Sequence, residues 1–516
     1  MRSHALGDIP ARTAARCPDK TAIVHRDRVI TFGELDRLVD ATAACLWDRG
    51  LRPGDRLAIL SHNCWQFPVA VFGAARIGVV SVPINFMLTA EEIAYLLDDC
   101  RPAAMIVEDA LYEVAERAVR LAESGVAVRF GVELTGLAAR NWPSFDEAIG
   151  DAKGPGEFPD IDDDALIRIM YTSGTESRPK GVMHSSRTLM WQYLSCIVSG
   201  AMEFGDIEIH SLPLYHCAQL DNFLITDIYL GATSVILDRP DPAAILGAVE
   251  RHGATNLFCP PTVWIGLLAR PEYRSGLSSL RKGYYGASAL PVEILREMRA
   301  ALPALRLWNF YGQTEMGSLA TVLPPEEQQR RPGSAGRAAL NVETRIVDDD
   351  NRPVAAGQIG EIVHRSPQVM LGYYNLADKT AEAFAGAWFH SGDLGRFDED
   401  GWLWVVDRKK DMVKSGGENV ATREVEEILY EMAEIREAAV YGIPDSRWIE
   451  AVAAAVVLAE GATLDVNDIV AHCKSRMASF KVPKSIRFVS ELPKNPSGKI
   501  LKRRLREEHV ESEPSR

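Results

Sequence analysis

Apolar residues follow two alternating spacings through the first 170 residues of the chain. Between Phe32 and Arg49 they recur at the three- and four-residue intervals of an amphipathic helix, and a second such stretch covers Phe67 to Ile77. Arg56–Leu60, Val79–Pro83 and Leu166–Met170 are instead short, mostly apolar runs that predict strands. Strands that alternate with helices favour an α/β fold built on largely parallel sheets.

The pattern breaks between residues 405 and 417 and then resumes. The apolar run Trp402–Val406 leads into the charged segment Asp407–Asp411, and the small residues Ser415–Gly417 follow. Thr422 can then cap a new helix. The elements expected after it are strands at Glu437–Tyr441 and Val452–Leu458 and a helix at Val466–Met477. We therefore predict two domains, residues 1–409 and residues 410–516, of which the second is a small α+β unit.

The composition narrows the class of protein. Hydrophobic residues make up 47% and charged residues 25% of the 516 residues, which is ordinary globular usage. Lys and Arg number 57 against 71 Asp and Glu, and the net charge of −14 argues against non-specific binding of nucleic acid. An anionic substrate must therefore meet local clusters of positive charge.

Targeting and redox signals indicate a cytoplasmic protein. No run approaches the roughly 20 uninterrupted apolar residues of a membrane-spanning helix, and the start of the chain lacks the pattern of a signal peptide. The eight cysteines are scattered without a CxxC pair or a cysteine–histidine metal spacing. This usage predicts reduced thiols, most of them in the core.

One loop combines hydroxyls, glycines and cations in a way that suits a polyphosphate. The segment Tyr171–Val182 follows a predicted strand and carries Thr172, Ser173, Gly174, Thr175 and Lys180. Backbone amides, hydroxyl donors and a lysine can together bind phosphate oxygens. The segment is not a Walker A loop, because Pro179 precedes and Gly181 follows the lysine. A plain surface turn would have a similar composition, so the loop alone leaves both readings open.

Four further segments match signatures of the same protein superfamily as the loop. The loop resembles the YTSGTTGxPKG signature of the adenylate-forming (ANL) superfamily, which contains acyl-CoA synthetases, adenylation domains and luciferases. The superfamily's other signatures follow in order as YGQTE at 311–315, WFHSGDLG at 388–395, DRKKDMVKSGGENV at 407–420 and PKNPSGK at 493–499. The loop departs from its signature at Glu176 and Ser177, which replace Thr-Gly and leave the loop geometry open.

The resemblance implies a fold, a reaction and cofactors. The fold is α/β, with a large N-terminal domain of stacked α/β sheets and a distorted barrel and a small mobile C-terminal α+β domain. A carboxylate attacks the α-phosphorus of Mg-ATP to give an acyl-adenylate and pyrophosphate, and a thiol then displaces AMP to give a thioester. Mg²⁺ is the implied cofactor, and ATP and CoA are co-substrates.

The resemblance also assigns roles in the first step. Residues of the phosphate loop, Thr172, Ser173, Gly174, Thr175 and Lys180, would hold the β- and γ-phosphates. Thr314 would bind the α-phosphate, and Glu315 would ligate Mg²⁺, a hard cation that prefers oxygen ligands. Asp393 and Arg408 would contact the ribose. The other residues implied for ATP or AMP are Gly286, Ala287, Ser288, Tyr311, Gly312 and Gln313.

A catalytic lysine and a hinge are implied for the second domain. Lys499 would bridge the substrate carboxylate and the transferred phosphoryl group. Its neighbours form a basic tail that could be solvated or could contact nucleic acid. The acidic net charge argues against nucleic acid, and the motif favours the catalytic role. Lys410 matches the hinge about which the small domain rotates between the two steps. After that rotation the segment Ser415, Gly416, Gly417 and Glu418 would line a channel for the thiol arm of CoA.

The acyl pocket is the least defined part of the site. The segment Pro213–Cys217 matches the family's PLPLFH segment and places the candidate catalytic residue His216 near the carboxylate. No acidic residue for binding an α-amino group can be assigned, with Asp221 as an open exception. Tyr284 and Tyr285 precede the Gly286 loop, and an apolar pocket with few polar groups suits an acyl chain.

We therefore interpret the chain as a Mg-ATP-dependent acyl-CoA synthetase acting on a medium- or long-chain fatty acid. An aryl- or small-acid-CoA ligase, and an acyl-AMP ligase that loads an acyl carrier protein, remain alternatives. A catalytically silent nucleotide-binding module is disfavoured, because every implied charged residue is present. The partners expected are a carboxylic acid, ATP and CoA, without nucleic acid. Peripheral membrane contact and a homo-oligomer are left open.

Overall fold

The computed structural model describes residues 5–137, 142–155, 157–172, 178–286, 290–415, 418–445, 448–495 and 498–512. In these residues the strands are β1 (Thr21–His25), β2 (Arg28–Thr31), β3 (Arg56–Leu60), β4 (Val80–Pro83), β5 (Ala104–Glu108), β6 (Val128–Val132), β7 (Leu166–Thr172), β8 (Lys180–Ser185), β9 (Ile207–His210), β10 (Thr233–Ile236), β11 (Asn256–Phe258), β12 (Lys282–Gly286), β13 (Arg306–Tyr311), β14 (Thr321–Leu323), β15 (Arg337–Ala338), β16 (Glu343–Val347), β17 (Gly360–Arg365), β18 (Gly372–Tyr373), β19 (Phe389–Phe397), β20 (Leu403–Arg408), β21 (Val413–Ser415), β22 (Glu418–Val420), β23 (Ile435–Asp445), β24 (Ile449–Leu458) and β25 (Ser485–Phe488).

The α-helices of the same residues are α1 (Ile9–Arg16), α2 (Phe32–Asp48), α3 (Gln66–Arg76), α4 (Ala90–Cys100), α5 (Tyr112–Leu121), α6 (Phe145–Gly150), α7 (Ser186–Gly200), α8 (Cys217–Gln219), α9 (Ile225–Leu230), α10 (Pro242–His252), α11 (Pro261–Leu268), α12 (Tyr273–Gly276), α13 (Val292–Ala301), α14 (Ala377–Ala383), α15 (Thr422–Leu429), α16 (Val466–Lys474) and α17 (Lys502–Ser512). None of the described helices is long and apolar enough to cross a membrane.

Two large, mainly parallel sheets form the N-terminal part of the molecule, as the alternating pattern predicts. One has nine strands in the order β15-β14-β13-β12-β11-β9-β10-β1-β2, and the other has seven in the order β18-β8-β7-β4-β3-β5-β6. A shared core contains Ile23 and Ile30 of the first sheet, Ile59 of the second, and Val39 and Phe72 of helices α2 and α3. The helices therefore bury their apolar faces between the sheets.

The predicted helices and strands of this region are confirmed to within two residues. Strand β3 has the predicted bounds, and β4 begins at Val80. Helix α2 begins at Phe32, and its cap is Thr31, whose hydroxyl accepts a hydrogen bond from the Glu34 amide. Helix α3 is buried along its whole length, which explains why its sequence is apolar on every face.

One antiparallel sheet and one mixed sheet follow. Strands β16-β17-β19-β20 form the antiparallel third sheet. The C-terminal sheet contains β22-β21-β24-β23 with β25 beside β24, and this smaller domain is α+β, as predicted. Helices α15 and α16 share a core with Val440 and Val452 on one face of this sheet, and Leu505 of α17 packs with Ala439 and Ala453 on the other.

Helix α15 begins at Thr422, but the predicted cap is wrong. The N-cap residue is Ala421, and its side chain accepts no hydrogen bond from the helix. Instead, Asp407 at the end of β20 accepts hydrogen bonds from the Thr422 amide at 2.6 Å and from the Thr422 hydroxyl at 2.8 Å. The Thr422 hydroxyl therefore donates a hydrogen bond, whereas the hydroxyl of a capping residue would accept one from the helix. The acceptor is Asp407 in the preceding sheet.

Candidate functional site

A cavity of about 740 Å³ separates the large N-terminal lobe from the small C-terminal lobe. It lies beyond the carboxyl end of β13, which is where α/β sheets bind ligands. The large lobe lines it with Tyr311, Gly312, Asp393 and Arg408, and the small lobe contributes Lys499. The cavity thus brings together five of the residues that the sequence assigns to the nucleotide.

The phosphate loop joins two paired strands. Thr172 ends β7, Lys180 begins β8, and these two residues are register partners. The Thr172 hydroxyl donates to the Lys180 carbonyl at 3.4 Å. The predicted phosphate ligands Ser173, Gly174 and Thr175, with Glu176 and Ser177, lie outside the described residues, as do Ala287 and Ser288 of the adenine loop.

Tyr373 connects the two ends of the predicted triphosphate site. The Lys180 ammonium lies over the Tyr373 ring, 4.0 Å from its centroid. The Tyr373 hydroxyl donates to Glu315 Oε1 at 2.9 Å. One aromatic side chain therefore contacts both the predicted phosphate lysine and the predicted magnesium ligand. The sequence gives no sign of the role of Tyr373, because no sequence pattern places strand β18 beside β8.

Backbone hydrogen bonds hold the turn that carries Thr314 and Glu315. His184 Nε2 donates to the Thr314 carbonyl at 2.9 Å, and the Met370 amide donates to the Glu315 carbonyl at 2.7 Å. Burial lowers the pKa of His184 to about 4, so the ring is neutral at pH 7. The turn follows Gly312, where an added Cβ would lie 2.0 Å from the Ser318 carbonyl oxygen. Only glycine permits this close approach.

The Glu315 side chain suits a magnesium ion. Its carboxylate is a hard oxygen donor, and no described residue donates to its Oε2. The Thr314 hydroxyl lies nearby, 3.3 Å from Cys217 Sγ. These groups can hold Mg²⁺ together with phosphate oxygens, which is the usual environment of the ion in nucleotide sites.

The predicted ribose ligands meet in one register pair. Asp393 of β19 lies opposite Arg408 of β20, and Arg408 Nε is 3.6 Å from Asp393 Oδ1. The Tyr311 hydroxyl donates to Asp393 Oδ2 at 2.6 Å. Burial raises the pKa of Asp393, and Arg408, Tyr311 and Lys499 oppose that rise. The sequence predicts all three residues around Asp393, but not the Tyr311 hydrogen bond.

Lys499 enters the cavity from the small lobe. Its amide donates to Asn495 Oδ1 at 2.8 Å, and the Thr262 hydroxyl of the large lobe donates to the neighbouring Gly498 carbonyl at 3.2 Å. Burial and then the Arg408 charge lower the pKa of Lys499 to about 7, although Asp393 acts in the opposite direction. The lysine therefore lies within electrostatic reach of both ribose ligands.

Two family models match the chain, one of AMP-binding enzymes over residues 10–374 and one of the AMP-binding enzyme C-terminal domain over residues 424–499. The chain belongs to the family of AMP-binding, adenylate-forming enzymes.

Similar proteins of this adenylate-forming family act on different acids. A feruloyl-CoA synthase from Amycolatopsis sp is 36% identical over 98% of this chain and 99% of its own length. A long-chain-fatty-acid–CoA ligase from Bacillus subtilis (strain 168) is 34% identical over 99% of this chain and 96% of its own. The crystal structure of the anthranilate CoA ligase AuaEII with anthranoyl-AMP has a TM-score of 0.91 at 27% identity and covers 98% of both chains.

His216 of this adenylate-forming enzyme lies close to Lys499. Burial and then the Lys499 charge lower the pKa of His216 to about 4, so the imidazole is neutral at pH 7. Its Nδ1 accepts a hydrogen bond from the Ala218 amide at 3.1 Å. The ring hydrogen is therefore on Nε2, and this nitrogen is a donor.

Three residues of the predicted acyl region have structural partners instead. Asp221 is buried and ion-paired with the fully buried Arg168, and it accepts a hydrogen bond from the Tyr193 hydroxyl at 2.9 Å. It is therefore not available for a substrate amine. The Tyr284 hydroxyl donates to the Gly200 carbonyl at 2.9 Å, and the Tyr285 hydroxyl donates to Gln328 Oε1 at 2.8 Å.

Some buried amide atoms near the turn have no partner among the described residues. They are both side-chain polar atoms of Gln313 and the Oε1 of Gln192. Gln192 also lies beside Gly317, because a Cβ added at Gly317 would meet the Gln192 Cγ at 3.0 Å. Unpaired buried amides are costly, so such atoms mark places where a ligand or water can bind.

The predicted hinge and CoA residues lie on the small-lobe side of the site. Lys410 falls between the end of β20 and the start of β21. Ser415 and Glu418 are register partners in β21 and β22, and neither lines the cavity. Gly416 and Gly417 lie outside the described residues. Ser415 and Glu418 are thus not brought together with the nucleotide residues at the cavity, whereas burial and, to a smaller extent, the Lys410 charge lower the pKa of Lys499.

A second polar cluster lies beneath the His216 segment and was not found from the sequence. Glu208, His210 and Asp227 offer ligand atoms within 4.8 Å of one another, and all three are fully buried. Gln219 Oε1 accepts from the Leu212 amide, so Gln219 Nε2 donates to His210 Nδ1 at 2.8 Å. The His210 hydrogen is therefore on Nε2, which faces Asp227 Oδ2 at 3.2 Å.

This tautomer disfavours a cation at the second cluster. A metal bound at His210 Nε2 would leave a hydrogen on Nδ1 facing the Gln219 N–H group. Burial and repulsion from Asp227 raise the pKa of Glu208 well above its usual range. Burial and the Asp227 charge therefore favour the protonated form of Glu208 in the folded protein.

Proposed function

We propose that the enzyme is an AMP-forming acid–CoA ligase, an acyl-CoA synthetase that works through an acyl-adenylate. The observation that supports this most directly is the position of Lys499. It comes from the small lobe and lies within electrostatic reach of Asp393, Arg408 and His216 of the large lobe. A mobile cation at a cleft that holds nucleotide ligands suits the neutralisation of charge on the transferred group.

In the first step the residues bind and orient the reactants. Lys180 and Thr172, with Ser173, Gly174 and Thr175, bind the β- and γ-phosphates, and Asp393 accepts hydrogen bonds from the ribose hydroxyls. Thr314 binds the α-phosphate. Glu315 would hold Mg²⁺, which would supply charge neutralisation when bound.

Two side chains act on the substrate carboxylate. The neutral His216 offers its Nε2 hydrogen to a carboxylate oxygen and fixes the acid near the α-phosphate. Lys499 must be protonated to stabilise the negative charge that develops during transfer. Neither role requires a covalent bond to the enzyme, and the rate gain comes from positioning and electrostatics.

We propose a medium- or long-chain fatty acid as the substrate. An aryl acid is the second candidate, because a feruloyl-CoA synthase is 36% identical to this chain. An acyl carrier protein instead of CoA is the alternative acceptor.

For the second step we propose that the small lobe, residues 410–516, rotates about Lys410 relative to residues 1–409. The segment from Ser415 to Glu418 would then line the channel for the thiol. Lys410→Pro should impair thioester formation and spare adenylation, because proline fixes the backbone angle that rotation must change. Equal loss of both steps would count against this hinge.

The test is an incubation with ATP, Mg²⁺ and a panel of fatty, aryl and small carboxylic acids, each with and without CoA. Pyrophosphate, AMP and thioester are measured separately. We expect pyrophosphate release that depends on the acid, and thioester only with CoA. Adenylate without thioester would favour the carrier-protein alternative, and no acid-dependent pyrophosphate would contradict the proposed function.

A further inference from the structure

A buried hydrogen-bonded group connects the two lobes behind Lys499. Asp407 is the penultimate residue of β20 in the large lobe, and its Oδ2 accepts hydrogen bonds from both the amide and the hydroxyl of Thr422 in the small lobe. Lys502 Nζ donates to the Thr422 hydroxyl oxygen at 2.6 Å and pairs with Glu426 at 2.8 Å. Thr422 is fully buried and Asp407 nearly so, which makes these bonds stronger than surface contacts.

The group continues directly into the catalytic segment. Lys502 is the first residue of α17 and stands three residues after Lys499. Fixing the Lys502 side chain against Thr422 and Asp407 therefore limits where Lys499 can lie. The charges of Glu426 and Asp407 raise the pKa of Lys502 against the opposing effect of burial, so this lysine stays protonated.

A second contact supports the same orientation of the lobes. Arg423, the residue after Thr422, donates to the Val405 carbonyl at 2.9 Å and to the Gly333 carbonyl at 3.0 Å. The Val292 amide donates to Glu427 Oε2 at 3.4 Å. The first two turns of α15 are thus attached to the large lobe at several points.

We propose that Asp407, Thr422 and Lys502 form a latch that positions Lys499 for adenylation and that opens before thioester formation. This inference rests on the proposed two-step function. Asp407 precedes Lys410 in the chain, whereas Thr422 and Lys502 follow it. A rotation of the small lobe about Lys410 must therefore break the two hydrogen bonds to Asp407, and the latch holds the first of two orientations.

The latch predicts opposite effects on the two half-reactions. Thr422→Val keeps the shape of the side chain and removes the hydroxyl that links Asp407 to Lys502. We expect acid-dependent exchange of pyrophosphate into ATP to fall about tenfold, the effect of losing one or two buried charge-assisted hydrogen bonds. Thioester formation from supplied acyl-adenylate and CoA should stay unchanged or become faster.

Matched variants separate positioning from a general loss of structure. Thr422→Ser restores the hydroxyl and should restore exchange, and Lys502→Met should show the same split as Thr422→Val. Thr42→Val is the control, because Thr42 is also fully buried and its hydroxyl donates to the Leu38 carbonyl in α2, away from the cavity. It should leave the ratio of the two rates unchanged.

Each outcome decides the proposal. A fall in exchange without a fall in thioester formation, reversed by serine, supports the latch. Equal loss of both steps, no change in either, or a failure of serine to restore exchange would overturn it. If the wild-type protein shows no acid-dependent exchange of pyrophosphate, the proposed function fails instead, and that result is seen before any variant is made.

Discussion

The two halves of the candidate site are held in different ways. The Thr314–Glu315 turn and Lys180 lie in the large lobe. The Tyr373 side chain contacts Lys180 and Glu315, and the His184 imidazole and the Met370 amide donate hydrogen bonds to the carbonyls of the turn. Lys499 depends on contacts between the lobes, such as the Thr262 hydroxyl bond to Gly498. Lys499 is needed in only one of the two proposed steps, and it can move out of the site when the contacts between the lobes break. The large-lobe residues that hold the nucleotide stay in place during this movement.

The largest effect should come from removing the group that the small lobe delivers. Lys499→Ala deletes the cation that lies near Asp393 and His216. We expect acyl-adenylate formation to fall by about 10²–10³-fold, the usual cost of losing a group that stabilises developing charge. Pyrophosphate exchange measures this step. Thioester formation from supplied adenylate should persist, and exchange at the wild-type rate would show that Lys499 has another role.

Gly498→Ala tests whether Lys499 depends on a close approach of the lobes. An added Cβ would lie 2.6 Å from Thr262 Oγ1 and 2.8 Å from Pro260 Cγ, at a backbone φ of +80°. Displacement of the neighbouring lysine by about 1 Å can cost up to about 10²-fold in rate. We expect that loss in pyrophosphate exchange, with thioester formation from supplied adenylate retained.

Gly461→Ala is the matched control for this variant. Gly461 also lies in the small lobe, at φ +75°, and an added Cβ would meet nothing within 4 Å. The control carries the same backbone strain without the contact between lobes. If both alanine variants lose exchange equally, backbone strain and not the approach to Thr262 is responsible.

Tyr373→Phe tests the other half of the comparison. The variant keeps the ring beneath Lys180 and removes the hydroxyl that donates to Glu315. We expect the concentration of Mg²⁺ needed for half-maximal exchange to rise about tenfold, because groups that orient a metal ligand typically contribute that much affinity. The KM for ATP at saturating Mg²⁺ should change little.

Two further variants sharpen this result. Tyr373→Leu also removes the ring and should raise the KM for ATP. Tyr374→Phe is the control, because no described residue forms a hydrogen bond with the Tyr374 hydroxyl. An unchanged Mg²⁺ requirement in Tyr373→Phe would mean that Glu315 does not need this orientation or does not bind the ion.

The low pKa of Lys499 predicts proton uptake when ATP binds. With a pKa of about 7, the amine in the free enzyme is charged at pH 6 and mostly neutral at pH 8. The polyphosphate favours the charged form, so binding should take up close to one proton at pH 8 and almost none at pH 6. Calorimetry in buffers of different ionisation enthalpy measures this number. Lys499→Ala should abolish the difference between the two pH values, and equal uptake at both would contradict it.

In both halves the sequence predicts the reactive side chains better than the contacts that hold them. Short motifs carry Lys180, Thr314, Glu315, Asp393, Arg408 and Lys499, because their chemistry requires particular residue types in a fixed order. Tyr373 could not be found, since its role depends on the pairing of β18 with β8, which are far apart in the chain. The latch was missed for the same reason, and Thr422 was assigned as a cap because local spacing says nothing of Asp407.

The burial of the polar residues Glu208 and His210 cannot be predicted from the sequence either. Glu208 and His210 stand two residues apart in β9, a pattern that is typical of a strand with one solvent-exposed face. The strand is central in the nine-stranded sheet, however, and both side chains are fully buried. Their surroundings, and hence their protonation, follow from packing against Asp227 of α9 and Gln219.

The smallest effect is expected at this cluster, which supports the large-lobe half of the site from beneath. Because the pKa of Glu208 is raised in the folded protein, the folded state binds more protons than the unfolded state above about pH 4.5. The free energy of unfolding should therefore fall as the pH rises through that range.

Glu208→Gln keeps the shape of the protonated acid and removes this pH dependence of the free energy of unfolding. Thermal unfolding between pH 4.5 and pH 9 should show little difference at pH 4.5 and a variant that becomes increasingly more stable than the wild type as the pH rises. Glu123→Gln, at an exposed position, should show neither effect. A variant that is equally destabilised at every pH would mean that Glu208 is ionised in the folded enzyme.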